Sequence, residues 1–168
     1  MELEERVAEL ERRMAALERA DRPAPEVTDD TFWALEGLKA QLAEAGAPGE
    51  DGAVLFTGSV RLPTEERYEW QFGALTERLL DEDWTETAES FAALGHPVRL
   101  RLLREILGGR RTAADLAELA EIGTTGQIYH HLRQLTGAGW LHTIGRGRYE
   151  VPGTRVVPLL VVLTAARP

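Results

Sequence analysis

The feature that most constrains this chain is the punctuation of residues 95–151. The stretch "GHPVRLRLLREILGG" opens on Gly95-His96-Pro97. Proline suits the first turn of a helix, where its missing N–H has no partner to lose. Leu100, Leu103 and Leu107 then line one face, with Leu102 and Ile106 beside them, and Gly108-Gly109 stops the helix. Thr112 precedes Asp115 by three residues, an acidic version of the capping box, and opens "TAADLAELAEI". After a short turn through Gly123, Thr124 and Gln127 form a T-x-x-Q capping box for a further helix. In that helix Ile128, Leu132 and Leu135 stand at i, i+4 and i+7, which gives it one stripe to bury and leaves the opposite face polar. Gly137 and Gly139 end it.

Two short helices, a turn containing Gly, and a second helix with an exposed polar face make the pattern of a helix-turn-helix. The following "GWLHTIGRGRYEVPG" reads as two strands, Trp140 to Ile144 and Arg148 to Val151, joined around Gly145-Arg146-Gly147. This is a β-wing with arginines at its tip and base. Together the two parts predict a winged helix, and a fold class that is mostly α with small β.

Residues 85–166 resemble the ArsR family of bacterial winged helix-turn-helix transcriptional regulators. The pieces that carry the resemblance are "ALGHPVRLRLL", "DLAEL", "IYHHLRQLTGAGWL" and the wing "GRGRYEV". The resemblance implies a DNA-binding homodimer, and the absence of cysteine fits a cytoplasmic protein. Thr124–Leu135 would be the recognition helix, and an N-terminal helix and the last helix would form the dimer interface. "RVVPLLVVLTAA" fits the last helix: Pro158 can begin it, and it is apolar nearly all round, so it must be buried. Leu159, Leu160 and Leu163 are its dimerisation candidates. One property of many relatives does not carry over. They sense metal through cysteines, and this sequence has none; a histidine and carboxylate site on the last helix, used by others, is also missing, because 155–168 hold no His, Asp or Glu. No metal and no cofactor is expected.

Upstream, residues 2–20 contain no Gly or Pro, and Leu3, Val7, Leu10, Met14 and Leu17 recur at spacings of four and three. That is a short coiled-coil-like seam over 1–20, with Leu10, Met14 and Leu17 as dimerisation candidates. "DRPAPEV" places a linker at 21–30. Residues 31–75 are read as an accessory region: a helix with Phe32, Leu35, Leu38 and Leu42 on its stripe, then a β-hairpin at 53–61 and 67–73. Tyr68, Trp70 and Phe72 alternate along its second strand, a face expected to pack as core more readily than to hold a ligand. Residues 76–168 complete the winged-helix, DNA-binding and dimerisation domain.

Charge sharpens the division. Residues 1–90 hold 9 basic and 23 acidic side chains, a net of −14; residues 91–168 hold 10 and 5, a net of +5. The chain's overall −9 therefore says little about partners, and the basic half alone can approach a polyanion. No apolar run approaches the roughly 18 residues of a membrane span. No P-loop or nucleophile elbow appears, and adjacent His130 and His131 point about 100° apart on a helix, so an enzyme is not expected.

With Ile128, Leu132 and Leu135 inward, Gly126, His130, Arg133, Gln134 and Gly137 point most nearly outward, and Thr125 and Gln127 lie at the exposed N-terminal end. Thr124, Thr125, Gly126, Gln127, His130 and Arg133 are the candidate DNA contacts, joined by Arg146 and Arg148 on the wing. Gln127 can pair with adenine in bidentate fashion, although its cap competes for the same side chain. Gly126 lets the backbone approach closely. Arg110 and Arg111 are weaker phosphate candidates. His131 lies about 60° off the buried stripe and is expected at its edge. The sequence favours a sequence-specific, double-stranded-DNA-binding regulator, a repressor, acting as a homodimer. The alternative is a winged-helix protein-assembly module with weak or no DNA binding. An effector, small molecule or protein, is left open.

Overall fold

A computed structural model describes residues 32–44, 52–119, 123–145 and 147–167. The coiled-coil-like segment 1–20 with Leu10, Met14 and Leu17, the linker 21–30 and the wing-tip Arg146 lie outside the described residues. The chain divides into two compact units, 1–40 and 41–168. Helix α1 (Trp33–Glu44) spans their boundary and buries none of its residues; of its expected stripe, Leu38 and Leu42 are half-buried while Phe32 and Leu35 are exposed.

The second unit opens with an antiparallel hairpin, β1 (Ala53–Arg61) and β2 (Arg67–Leu75), in which Phe56 faces Phe72, Gly58 faces Trp70 and Val60 faces Tyr68. Helices α2 (Thr76–Asp81), α3 (Thr85–Leu94), α4 (Pro97–Leu107), α5 (Ala113–Ala117) and α6 (Thr125–Gly137) follow. A minimal wing, β3 (His142–Thr143) with β4 (Tyr149–Glu150), leads into α7 (Gly153–Ala165). Arg148 also bridges to Thr112, which brings the start of α5 alongside the wing.

The helices start and stop where the caps and glycines place them, but on α4 the buried residues are Leu102, Leu103 and Ile106, while Leu100 and Leu107, read as part of its inward face, are half-buried. Leu102, Leu103 and Ile106 of α4, Leu116 of α5, and Ile128, Leu132 and Leu135 of α6 meet in one cluster, closed by Leu141, Val151, Val156 and Leu159. All are essentially inaccessible. Burying one such aliphatic side chain contributes roughly 1.5–3 kcal/mol, and a cluster of this size fixes the mutual angles of the three helices. Both capping boxes form as read, Thr112 with Asp115 and Thr124 with Gln127.

Three parts differ from the sequence reading. The hairpin, grouped there with the preceding helix, packs into the core of the following body through Leu62, Val60 and Tyr68. A two-stranded hairpin cannot stand alone, and α7 supplies its support: a Cβ added at Gly58 would meet Cγ1 of buried Val157 at 2.6 Å, so glycine lets strand and helix close up. The aromatic face is only partly core, because Tyr68 is half-buried but Trp70 is 37% and Phe72 54% exposed. Helix α7 starts at Gly153 rather than Pro158. Pro152, extended at φ −52° and ψ 137°, caps it, and Pro158 sits inside, where it forgoes the N–H bond to the Thr154 carbonyl.

Candidate nucleic-acid interface

Helix α6 is held from three directions. Its stripe is sunk in the core. Its N-terminus is closed by the Thr124 hydroxyl, which accepts from the Gln127 N–H (3.4 Å), while the Thr124 N–H donates to Gln127 Oε1 (2.8 Å). Its flank is clamped by Arg99, a buried arginine of α4. Arg99 donates through Nη1 to Gln134 Oε1 (2.7 Å), through Nη2 to the Ala92 carbonyl (2.7 Å), and through Nε to the Ala93 carbonyl. One guanidinium thus satisfies the last carbonyls of α3 and fixes α6 against α4. No periodicity singles out Arg99, one of several arginines in "VRLRLLREI".

The face opposite the stripe is free. Thr124, Thr125, Gly126, Gln127, His130 and Arg133 are all exposed. Nothing lies within 4 Å of a Cβ built at Gly126, so the helix backbone is bare there. Arg133 and Arg148 have no ion-pair partner among the described residues. Exposed Tyr129 joins this face; adjacent to the buried Ile128, it escaped the periodicity argument, and its hydroxyl can donate to a phosphate. Gln127 is less available than its position suggests. Its Oε1 accepts from both the N–H and the hydroxyl of Thr124, so bidentate pairing with adenine would cost the cap.

Two arginines read as weaker phosphate contacts are used internally. Arg111 pairs with Glu66 of the hairpin loop and with Glu150 of β4 (3.1 Å), and its carbonyl accepts from the Tyr149 N–H (2.7 Å). It ties hairpin to wing. The Glu66 carboxyl is held below its ordinary range, first by the Thr64 hydroxyl and then by Arg111. Arg110 lies 3.5 Å from Glu105.

The histidine pair divides as its geometry requires. His130 is exposed; His131 is half-buried, its ring 4.7 Å from that of His96, the N-cap of α4. Burial, then the neighbouring His96 and Arg99, lower the His131 pKa, and its Nδ1 is buried without a partner. On α7, Leu159 is 0% exposed within the chain's own core and has no surface to give a second copy. Leu160 is half-buried and Leu163 exposed, so these two keep surface.

Residues 94–144 match the family model of a helix-turn-helix domain. This segment is a helix-turn-helix domain. The match opens at the end of α3 and closes in the wing, and takes in α4, α5 and α6 complete, so the resemblance to the ArsR family stands on the same residues that carried it. A curated relative, "Probable mercury resistance operon repressor" of Streptomyces lividans, is 38% identical over 79 residues, which cover 45% of this chain and 62% of that protein. The chain therefore matches less than two thirds of that relative's length. No solved structure matches the chain. Among the described residues, no helix is long and apolar enough to cross a membrane, and no cluster of three His, Asp or Glu could hold a metal ion.

Proposed function

We propose that the chain is a sequence-specific, double-stranded-DNA-binding transcription regulator that works as a homodimer and represses. The observation that carries this is the contrast between the two faces of α6. One is locked by the core, the capping box and Arg99. The other is exposed, polar, without hydrogen-bond or ion-pair partners over His130 and Arg133 among the described residues, and bare of side chain at Gly126. A rigid helix with an unoccupied outer face, followed by a wing with Arg148, is how a helix-turn-helix presents base contacts in the major groove and phosphate contacts beside it. Thr125, Gly126, His130 and Arg133 are the proposed base-side residues. Thr124 and Gln127 chiefly hold the helix start, and Arg146 and Arg148 are proposed to meet phosphate. Leu160 and Leu163, with Leu10, Met14 and Leu17, are the proposed dimer contacts. The repressor role is taken from the relative's name; its mercury response is not, since soft metal ions favour thiolate ligands and these 168 residues include no cysteine.

The test is selection of fragments from mixed genomic DNA, followed by titration at several salt concentrations. A regulator enriches a few fragments, and its affinity falls steeply with salt. Arg148→Ala weakens binding to every sequence and lowers the salt slope by about 0.9 for the one phosphate lost. If no fragment is enriched, or the slope is unchanged, the reading as a protein-assembly module replaces this one. Light scattering on the free protein checks the dimer.

A further inference from the structure

The two long edges of the hairpin are unlike. In an antiparallel ladder, residues that bond their opposite number alternate with residues whose N–H and C=O point away. The bonded set is fixed at both ends of the β1–β2 register. The Leu62 N–H donates to the Glu66 carbonyl (2.9 Å), and the Thr76 N–H donates to the Gly52 carbonyl (2.8 Å). Even-numbered residues of β1 therefore bond β2. Ala53, Leu55, Thr57, Ser59 and Arg61 turn their backbone groups to the open edge, and among the described residues no backbone hydrogen bond from outside the hairpin reaches them. The same alternation turns Arg67, Glu69 and Gln71 of β2 to the other edge. Charged side chains along an edge discourage further pairing. The β2 edge carries them, whereas β1 has no charge from Ala53 to Val60. A long edge without charge is a template for another strand.

Helix α7 stands over the space beside this edge. Its contacts run from β2 towards β1: a Cβ added at Gly153 would meet Tyr68 of β2 at 3.3 Å, and four residues on, Val157 lies against Gly58 of β1. Four residues of helix advance about 6 Å, and neighbouring strands lie about 4.8 Å apart. The next turn, at Val161, falls where a third strand would run. A cavity of about 430 Å³ lies there, between Phe56, Thr57 and Val60 of β1 and Leu160, Val161 and Thr164 of α7, and no residue of β2 lines it. Its walls are mostly apolar, and the Thr164 hydroxyl is already bonded to the Leu160 carbonyl (2.8 Å). An extended chain entering here meets main-chain partners at its side and apolar side chains above, the two elements of strand addition.

We propose that a second copy of this chain supplies that strand, β1 pairing antiparallel with β1 about a two-fold axis. Only odd-numbered residues offer free backbone groups, so odd must oppose odd. An axis through Thr57 is the one register that uses all nine residues of the strand. Thr57 then opposes Thr57, Leu55 opposes Ser59, and Ala53 opposes Arg61, with no like charges facing. On the side of the sheet under α7, Phe56 opposes Gly58, which has no side chain to obstruct the ring. Val54, 57% exposed in the single copy, opposes Val60. The edge is thus complementary to itself, as a two-fold contact requires. Leu160 and Val161 of each α7 then pack over the other copy's β1. This contact deepens the homodimer reading above and rests on it.

The chain has no cysteine, so a single introduced thiol can form a disulfide only with a second copy. Opposed residues of a bonded antiparallel pair have Cα atoms about 5.5 Å apart, within the range a disulfide spans. Thr57 and its neighbour across the hairpin, Gln71, are both exposed. Mild copper-catalysed oxidation of the full chain carrying Thr57→Cys should link at least half of it into dimers. Gln71→Cys, on the charged edge, should give at least fivefold less. Thr57→Pro removes one outward N–H and leaves the β1–β2 ladder complete. In sedimentation equilibrium it should weaken self-association at least tenfold, with circular dichroism checking the fold; if it does not fold, Val161→Glu reads the same loss from the helix side. Light scattering separates the failures. A dimer in which Thr57→Cys links no better than Gln71→Cys overturns the β1 pairing and leaves the homodimer reading standing, with the edge open to a foreign extended peptide. A monomer overturns both.

Discussion

Replacing Gly126 by alanine should move folding and DNA binding in opposite directions. Gly126 is the second residue of α6, exposed, and free of neighbours: an added Cβ meets nothing within 4 Å. Its φ is not among the positive values of the chain, so alanine adopts the same backbone without strain. In a helix, glycine is less favourable than alanine by roughly 0.5–1 kcal/mol, chiefly because it has more backbone freedom to lose. Gly126→Ala should stabilise the free protein by about that amount, the lower part being expected so near the helix end. For a domain of this size that is a rise in Tm of about 1–4 °C. On DNA the same methyl stands on the surface proposed to approach the duplex backbone-first. If the helix seats at van der Waals distance there, it must retreat or tilt, and contacts at Thr125 and His130 lengthen with it. A loss of about 1.4 kcal/mol, tenfold in Kd, is the expected scale. Thermal melting followed by circular dichroism gives the first quantity, and fluorescence anisotropy on an enriched fragment the second. A stabilised protein that binds DNA as tightly as before would refute the claim that the bare backbone at Gly126 serves close approach.

Two other substitutions probe how α6 is held. Arg99→Met should destabilise by about 2–4 kcal/mol, because the guanidinium's buried bond to the Ala93 carbonyl and its part-buried bonds to the Ala92 carbonyl and the Gln134 amide are lost together; urea unfolding measures it, and a change below about 1 kcal/mol would show that the clamp is not needed. His131→Gln should reduce acid sensitivity. The folded-state pKa of His131 lies below its ordinary value, so below about pH 6.5 the unfolded chain binds the extra proton, and stability falls with pH until the folded pKa is passed. The drop in urea midpoint between pH 7.5 and 5.5 should be smaller in the variant, with His96 and His130 present in both; an equal drop contradicts the assignment.

The winged-helix half was legible in the sequence because its signals are local. Each helix carries its own cap and glycine stop, and the capping boxes at Thr112 and Thr124 need only residues three apart. Spacing alone separates Ile128, Leu132 and Leu135 from the free face. What was not legible depends on residues distant in sequence. Arg99 and Gln134 are 35 positions apart, and Arg111 and Glu66 are 45 apart. Nothing in either local pattern announces the partner, so Arg111 reads as a free cation until the hairpin loop is placed beside it. Gly58 looks like a flaw in a strand until Val157 fills the space where its side chain would be. The hairpin's aromatic alternation promises one buried face, yet only Val60 and Tyr68 of that face join the core, and Trp70 and Phe72 stay exposed.

The two adjacent histidines show the boundary between these classes. Helical geometry separates them by about 100° and sends His130 outward, which the sequence is enough to state. That the neighbour of His131 is the ring of His96 could not be read from spacing, since the two are brought together only when α4 and α6 pack. The same packing joins the start of α4 to the flank of the helix assigned to DNA. The half-buried His131 and a buried guanidinium thus stand side by side at the joint between α4 and α6. The orientation of the proposed reading face is therefore decided by residues that do not themselves reach it.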